Sequence, residues 1–424
     1  MTERVLPGPV ADLEGSAELP TSKSLTNRAL IAAAAADGGR IARPLDCGDT
    51  RLLARALGSA GWPVTWRDDI TVGPRRATAA VEVDLGDSGT GARLIVGLLA
   101  CVEGRSRVDG STRLRERPMA PLIDTLRALG SEIRAQDGFL PVELVGRRLA
   151  GGAARIRPEV SSQFVSSLLL AGPLMERGLD LTVDGTLPSR PYLELTEQVL
   201  DAFGATVSRS SPNRWLVSSG GYRPTDFTVE TDWSAAAFPA AAVAVAGGRV
   251  TIPHLSAASR QGDRALVDIL ARAGLDVRFD GHGMTVEGRV ARAFEADLRD
   301  TPDLFPALVV VAAAAPPGSV LSGLEHLRHK ESDRRSVMLA NLGRLGAVFD
   351  AGASRLEVVR GVDRGRSHRT TATSADDHRI AMAMAVAALA AGPVVLDDDS
   401  CVAKSFPDFW TMWERLLRGS SGPP

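Results

Sequence analysis

Apolar positions recur along this chain at the spacing of an amphipathic helix, in segments that close on a glycine and pass into a short apolar stretch. The closing motifs are ARALG at Gly58, LRALG at Gly130, LDAFG at Gly204, LARAG at Gly274 and LGRLG at Gly346. A glycine at this place reads as a helix C-cap leading into a strand. The spacing is about 70 to 75 residues, and Arg415 to Gly419 falls at the sixth position, just before Ser420 to Pro424. Six internal repeats follow. A second helix is predicted in each, opening on small or polar residues and continuing as an Ala, Leu and Val run before a Gly-bounded strand such as DLTVDG or GRVTI. Its six openings are SKSLTNR, DSGTGAR, SSQFVSS, DWSAAAF, TPDLFPA and DDHRIAM. Three repeats per half predict two similar α/β domains, 21–230 and 1–20 plus 231–424, with hinges near 20 and 230. The strand region up to Pro20 is expected to pair with the C-terminal half.

Composition narrows the picture. A chain of 424 residues is long enough for two or three domains with real cores. A formal net charge of −2 gives no bulk pull towards nucleic acid or an acidic membrane, so any anion binding is local. Cys47, Cys101 and Cys401 form an odd set without CxxC spacing, which argues against a disulfide framework and against zinc. Reduced thiols in the cytoplasm fit that pattern. Met1 to Pro20 lacks a basic region followed by an apolar run, so no secretory signal is expected. The longest apolar runs, Ala235 to Gly247 and Leu304 to Pro316, fall short of a bilayer span and read as buried helices. Cys101, inside LLACV, reads as a buried helix end.

The helix openings carry the candidate chemistry. Ser, Thr and Asp there serve as N-caps, but six in register would also present unpaired N–H groups and positive dipole ends to small anions. A polyanionic ligand is therefore expected. Lys23 and Arg28 stand five apart in PTSKSLTNR, about one turn from each other. RLRERP crowds three arginines, Arg117 the last, before a Pro helix start. HLRHKESDRR packs His326, Arg328, Lys330, Glu331 and Arg334, DDHR supplies His378 and Arg379, and VAKSFPD supplies Lys404.

In this order, and over essentially the whole chain, these motifs resemble those of the 5-enolpyruvylshikimate-3-phosphate (EPSP) synthase family. PTSKSLTNR resembles the family's N-terminal Lys-Ser motif, GDSGTGAR its glycine-rich loop, RERP its arginine loop, and SSQF and PSRPY its shikimate-phosphate segments. TPD, HLRHKESDR, DDHR and AKSFPDF complete the order. The resemblance implies two domains, each of three βαβαββ units forming an inside-out α/β barrel. It implies transfer of the carboxyvinyl group of phosphoenolpyruvate to the 5-hydroxyl of shikimate 3-phosphate, by addition and elimination through a tetrahedral intermediate. No cofactor and no metal are implied, and a cytoplasmic monomer without nucleic-acid or membrane partner is expected.

Carried residue by residue, the resemblance assigns Lys23, Ser24, Arg28, Ser161, Ser162, Gln163, Ser189, Tyr192, Asp303, His326 and Lys330 to shikimate 3-phosphate, with Arg190 nearby. It assigns Lys23, Gly89, Arg117, Gln163, Arg334, Arg379 and Lys404 to phosphoenolpyruvate, where a phosphate and a carboxylate call for several cationic donors. Asp303, Glu331 and Lys23 are the implied acid and base groups. Asp303, after Pro302 at a helix start, is expected to be held ionised by the helix dipole. Gly89 is implied to be a close-approach glycine. Three positions depart from the family pattern: Thr21 stands where Gly is common, Leu94 where Pro is frequent, and Asp87 where Asn is common. A carboxylate at Asp87, beside an anion site, would repel unless it faces an arginine such as Arg93. These departures bear on phosphoenolpyruvate affinity and on sensitivity to glyphosate. Two further readings stay open at this point. One is the transferase of the same group to UDP-N-acetylglucosamine or to a secondary metabolite. The other is a silent phosphometabolite-binding homologue.

Overall fold

The six predicted openings all begin helices in the structure, a computed structural model that describes residues 3–78, 80–158 and 160–419. They are α1 (Lys23–Ala35), α2 (Gly89–Ala100), α3 (Gln163–Ala171), α4 (Trp233–Ala246), α5 (Phe305–Ala314) and α6 (His378–Ala391). Every residue of α4, α5 and α6 is buried, as are nearly all of α2 and α3. A helix apolar on every side is enclosed by protein. The abundance of Ala and Gly serves this enclosure. A methyl group at Gly97 of α2 would lie 2.8 Å from the Ser167 carbonyl of α3, and the Ser167 hydroxyl donates to the Arg93 carbonyl at 2.6 Å.

Sheets wrap these helices, which is the inside-out arrangement. Five of the six sheets among the described residues share one plan: a parallel strand pair, then an antiparallel hairpin. In the second repeat, Ala80–Asp84 runs parallel to Gly104–Asp109, followed in the sheet by Val142–Gly146 and Glu132–Ala135. The third, Gly152–Ile156 with Leu179–Val183, and the fifth, Glu295–Asp297 with Val320–Ser322, are built alike. The parallel pairs are bridged by the buried helices, giving βαβαββ.

The remaining sheets borrow strands. The first repeat takes Thr225–Thr228 as the parallel neighbour of Gly39–Ala42. The fourth takes Leu13–Ser16 beside Gly248–Pro253, and the sixth pairs Arg4–Leu6 antiparallel to Val394–Leu396. The chain accordingly divides into two compact units, Thr21–Glu230 and Met1–Pro20 with Thr231–Pro424. Each has its own apolar core.

The closing glycines need one correction. Gly130, Gly204, Gly274 and Gly346 have φ between +75° and +99°, as left-handed caps require. Gly58 instead lies inside the helix Gly48–Ser59, which runs on so that Gly61 (φ +100°) takes the cap. The Trp62 N–H returns to the Leu57 carbonyl at 3.0 Å. Gly419 follows the last helix, Phe409–Arg418, at φ −76°, so the sixth motif is no left-handed cap. Ser420 to Pro424 lie outside the described residues.

This register yields a paired prediction. Gly58→Ala, with nothing near the added methyl group, should stabilise the fold by about 0.5–1 kcal/mol. Gly61→Ala, whose methyl group would strike the Arg76 carbonyl, should destabilise it by about 2 kcal/mol or more. Urea unfolding of the two variants measures both signs.

Candidate active site

In the unit Thr21–Glu230 most of the candidate side chains stand at or near the openings of α1, α2 and α3. Lys23 and Arg28 do not work as a pair: five positions along a helix are about 140° apart around it. Lys23 Nζ pairs with Asp49 Oδ2 at 3.1 Å. Arg28 points inwards and is 1% exposed. Its Nε donates to Thr196 Oγ1 (2.9 Å), its Nη1 to the Ser24 carbonyl (2.9 Å), and its Nη2 to Ser166 Oγ and the Tyr192 carbonyl (both 3.2 Å). All these acceptors are neutral, and no carboxylate pairs with Arg28 among the described residues. Burial pulls its guanidinium down to about 10. It remains charged at pH 7, a buried cation without a counter-anion among the described residues.

Gln163, the first residue of α3, ties two helix openings together. Its Oε1 accepts from Arg93 Nη1 at 2.6 Å and its Nε2 donates to Thr90 Oγ1 at 2.8 Å. Ser161 Oγ accepts the Gln163 N–H at 3.3 Å, and Ser162, 2% exposed, precedes the helix. Ser189 is buried with φ +58°, a left-handed conformation that a serine adopts at some strain. It opens the helix Pro191–Ala202, on which Tyr192 lies. Arg190 turns away to the Pro212 carbonyl (2.6 Å) and Asn213.

Gly89 gains a different meaning. A Cβ there would fall 2.8 Å from Cζ of Arg117, so the glycine makes room for a guanidinium of this same unit. Arg117 is 7% exposed, with Nε buried and without a hydrogen-bond partner among the described residues. The other two arginines of RLRERP go elsewhere, Arg113 to Glu116 and Arg115 to Asp109. The following helix starts at Ala120 with Pro121 in its first turn, so Pro118 does not open it. Asp87 does not face Arg93: it accepts the Ser111 hydroxyl, and Arg93 is engaged by Gln163. Leu94 is simply a buried core residue of α2. Cys101 caps that helix, buried, as expected.

In the other unit a guanidinium organises three carboxylates. Arg334, 1% exposed, donates Nε to Asp377 Oδ2 (2.8 Å), Nη1 to Asp303 Oδ1 (2.7 Å) and Nη2 to Glu331 Oε2 (2.7 Å). Asp377 is the N-cap of α6, accepting the Arg379 N–H at 3.0 Å, and also receives Ser332 Oγ at 3.1 Å. Arg379 Nη2 donates to Asp303 Oδ2 at 2.9 Å. Asp303 sits in the 3₁₀ turn Pro302–Leu304 ahead of α5 and caps no helix. Burial opposes its ionisation, but Arg379, Arg334 and Lys330 outweigh burial and hold its carboxyl far below the usual range. Ion pairing, not the helix dipole, keeps it charged.

Lys330 precedes Glu331 of this network, and His326 is 6% exposed with Nε2 buried and without a hydrogen-bond partner among the described residues. Burial, then the charge of Lys330, pushes the His326 imidazole down to about 3, so the ring is neutral at pH 7. Lys404 ends the 3₁₀ turn Ser400–Lys404, half-buried. Sequence reasoning passed over Asp49, Thr196, Ser166 and Asp377. Asp377, directly ahead of His378 and Arg379 in DDHR, and Ser166, within SSQFVSS, had a motif to find them by.

These features define an α/β protein of six repeats whose buried helix openings hold guanidinium groups, in one unit against neutral oxygens and in the other against carboxylates. The description EPSP synthase (3-phosphoshikimate 1-carboxyvinyltransferase) matches residues 7–413. The 3-phosphoshikimate 1-carboxyvinyltransferase of Methanoculleus marisnigri is 41% identical over 401 residues, covering 92% of this chain and 94% of the relative. That of Methanosphaerula palustris is 40% identical over 414 residues, covering 95% and 96%. The solved EPSP synthase of Acinetobacter baumannii superposes with a TM-score of 0.77 at 26% identity, covering 98% of each chain. The chain belongs to the EPSP synthase family. Among the described residues no helix is long and apolar enough to cross a membrane.

Removing the Arg334 guanidinium strands three carboxylates. Arg334→Met should lower stability at pH 7 by about 3–5 kcal/mol, read by urea unfolding. Asp303 is depressed in the native state. Its contribution in the parent is therefore present above the ordinary carboxylate range and is lost as pH falls through its native value. The gap between variant and parent should narrow in acid.

Proposed function

We infer that the chain transfers the carboxyvinyl group of phosphoenolpyruvate to the 5-hydroxyl of shikimate 3-phosphate, releasing phosphate, a step towards the aromatic amino acids. The observation that carries this reading is the family match across residues 7–413. The protein is proposed to act as a monomer in the cytoplasm, with hinges near 20 and 230.

The buried cations supply the binding. Arg28 lacks a counter-anion among the described residues and suits an anionic group of shikimate 3-phosphate, as do Lys23 and Lys330. Ser24, Ser161, Ser162, Ser189, Gln163 and Tyr192 offer neutral polar groups, and the neutral ring of His326 offers a nitrogen. Phosphoenolpyruvate takes Lys23, Arg117 beside Gly89, Gln163, Arg334, Arg379 and Lys404.

The 5-hydroxyl oxygen attacks C2 of phosphoenolpyruvate as C3 gains a proton. The tetrahedral intermediate then loses the C3 proton and phosphate. Asp303 is ionised and ready to accept the hydroxyl proton, with Lys23 assisting, but two guanidinium groups make it a weak base at rest. An anionic substrate that draws on Arg379 removes part of that restraint and raises the proton affinity of Asp303. Glu331, one oxygen of which is held by Arg334, exchanges the proton at C3.

Phosphate release should require shikimate 3-phosphate beside phosphoenolpyruvate, and UDP-N-acetylglucosamine should not replace it. Lys23→Met should lose at least about 10³-fold in turnover without unfolding. Near-normal turnover would remove Lys23 from the site. The acid and base roles separate in D₂O. Asp303→Asn should bind shikimate 3-phosphate yet turn over about 10²–10⁴-fold more slowly, and Glu331→Gln should slow deuterium entry at C3 of phosphoenolpyruvate. Deuterium entry at the parent rate in Glu331→Gln would exclude Glu331 as the C3 acid.

A further inference from the structure

One buried carboxyl near this network has no part in the steps above. Asp263 lies in the 3₁₀ turn Gly262–Ala265, which leads into the helix Leu266–Arg272, and is 3% exposed. Its neighbour Gln261 fastens the turn to the opening of α4. Gln261 Oε1 accepts the Trp233 N–H at 3.1 Å, and Nε2 donates to the Thr231 carbonyl at 2.7 Å. Asp263 Oδ2 accepts the Ser234 hydroxyl, whereas Oδ1 is buried without a hydrogen-bond partner among the described residues. The charges that act on it come from every helix opening of the unit: Asp303 ahead of α5, Arg379 on α6, and Asp232, N-cap of α4. A carboxyl placed only to brace a loop would have donors for both oxygens. Asp263 has one donor and two neighbouring carboxyls.

We propose that Asp263 is a positioning residue of the carboxyvinyl transfer: without touching substrate, its charge sets how tightly Asp303 holds a proton and how much of the Arg379 charge is left for an anionic substrate. The inference rests on the function stated above. Burial, then the charge of Asp303, pushes the Asp263 carboxyl up to about 7, against the Ser234 hydrogen bond and the attraction of Arg379. Below that pH Asp263 is neutral, Asp303 is a weaker base, and Arg379 is free for phosphoenolpyruvate. Above it the added negative charge strengthens Asp303 as a base and competes for Arg379. The same ionisation acts on stability. The native value lies above the unfolded one, so the contribution of Asp263 is complete below the unfolded value and is lost as pH rises through about 7.

Asp263→Asn in the full chain fixes the neutral form. Phosphate release would be measured from about pH 6 to pH 9, and thermal unfolding from about pH 4 to pH 9. The kinetic constants of variant and parent should coincide near pH 6. Above neutrality the variant should show a KM for phosphoenolpyruvate lower by about threefold or more, together with a reduced kcat. Its melting temperature should exceed that of the parent at alkaline pH, the gap closing in acid. A constant offset at every pH would reduce Asp263 to a structural role, and superposed profiles would give it none. Either overturns the proposal. Ser234→Ala provides a second arm should Asp263→Asn fail to fold. Loss of that hydrogen bond should move the alkaline change in KM to higher pH, and an unmoved change overturns the proposal. A parent that releases no phosphate from the two substrates sinks the proposed function and the role of Asp263 together. An active parent with parallel profiles sinks only the role of Asp263.

Discussion

A guanidinium sealed inside a protein must be answered by oxygen, and the two units answer it differently. Arg334 is surrounded by three carboxylates and lies at the centre of a network that joins the openings of α5 and α6. Among the described residues Arg28 is held by hydroxyl and carbonyl oxygens alone. The first arrangement balances charge within the fold. The second leaves a positive charge in a low-dielectric surround, where its attraction for an anion is weakly screened. Both become possible because the central helices are apolar along their length and polar only where they begin.

That division of labour explains what the sequence discloses. Helices enclosed on all sides need unbroken runs of Ala, Leu and Val, so α4, α5 and α6 stand out as such runs, and their polar openings recur at one interval. The sheet plan follows from the alternation of these helices with Gly-bounded strands. Failures occurred where a motif has more than one local solution. ARALG resembles its four counterparts, yet a further turn of helix carries the cap to Gly61, ahead of the Trp62-Pro63 stop. Pro two residues after the cap was the better signal.

The candidate site was legible as a set of residues and illegible as a set of contacts. Spacing alone could not tell that Lys23 and Arg28 leave α1 on different faces, or that Asp87 would choose Ser111 over Arg93. Nor could it tell that Gly89 yields to Arg117, since the two belong to different motifs. Asp263 escaped notice for a further reason. It stands on a turn outside the repeated helix openings, and only folding brings it beside Asp232, Asp303 and Arg379.

The borrowed strands bear on the order in which a ribosome delivers the chain. Arg4–Leu6 and Leu13–Ser16 emerge well before their partners, Val394–Leu396 and Gly248–Pro253. The stretch Thr21–Glu230 brings its own closing strand, Thr225–Thr228, and can complete all three of its sheets while the remainder is still being translated. Those two edge-forming segments must meanwhile wait with unpaired backbone groups. Strands of three and four residues gain little from any wrong partner, and short length here protects a nascent chain during that wait.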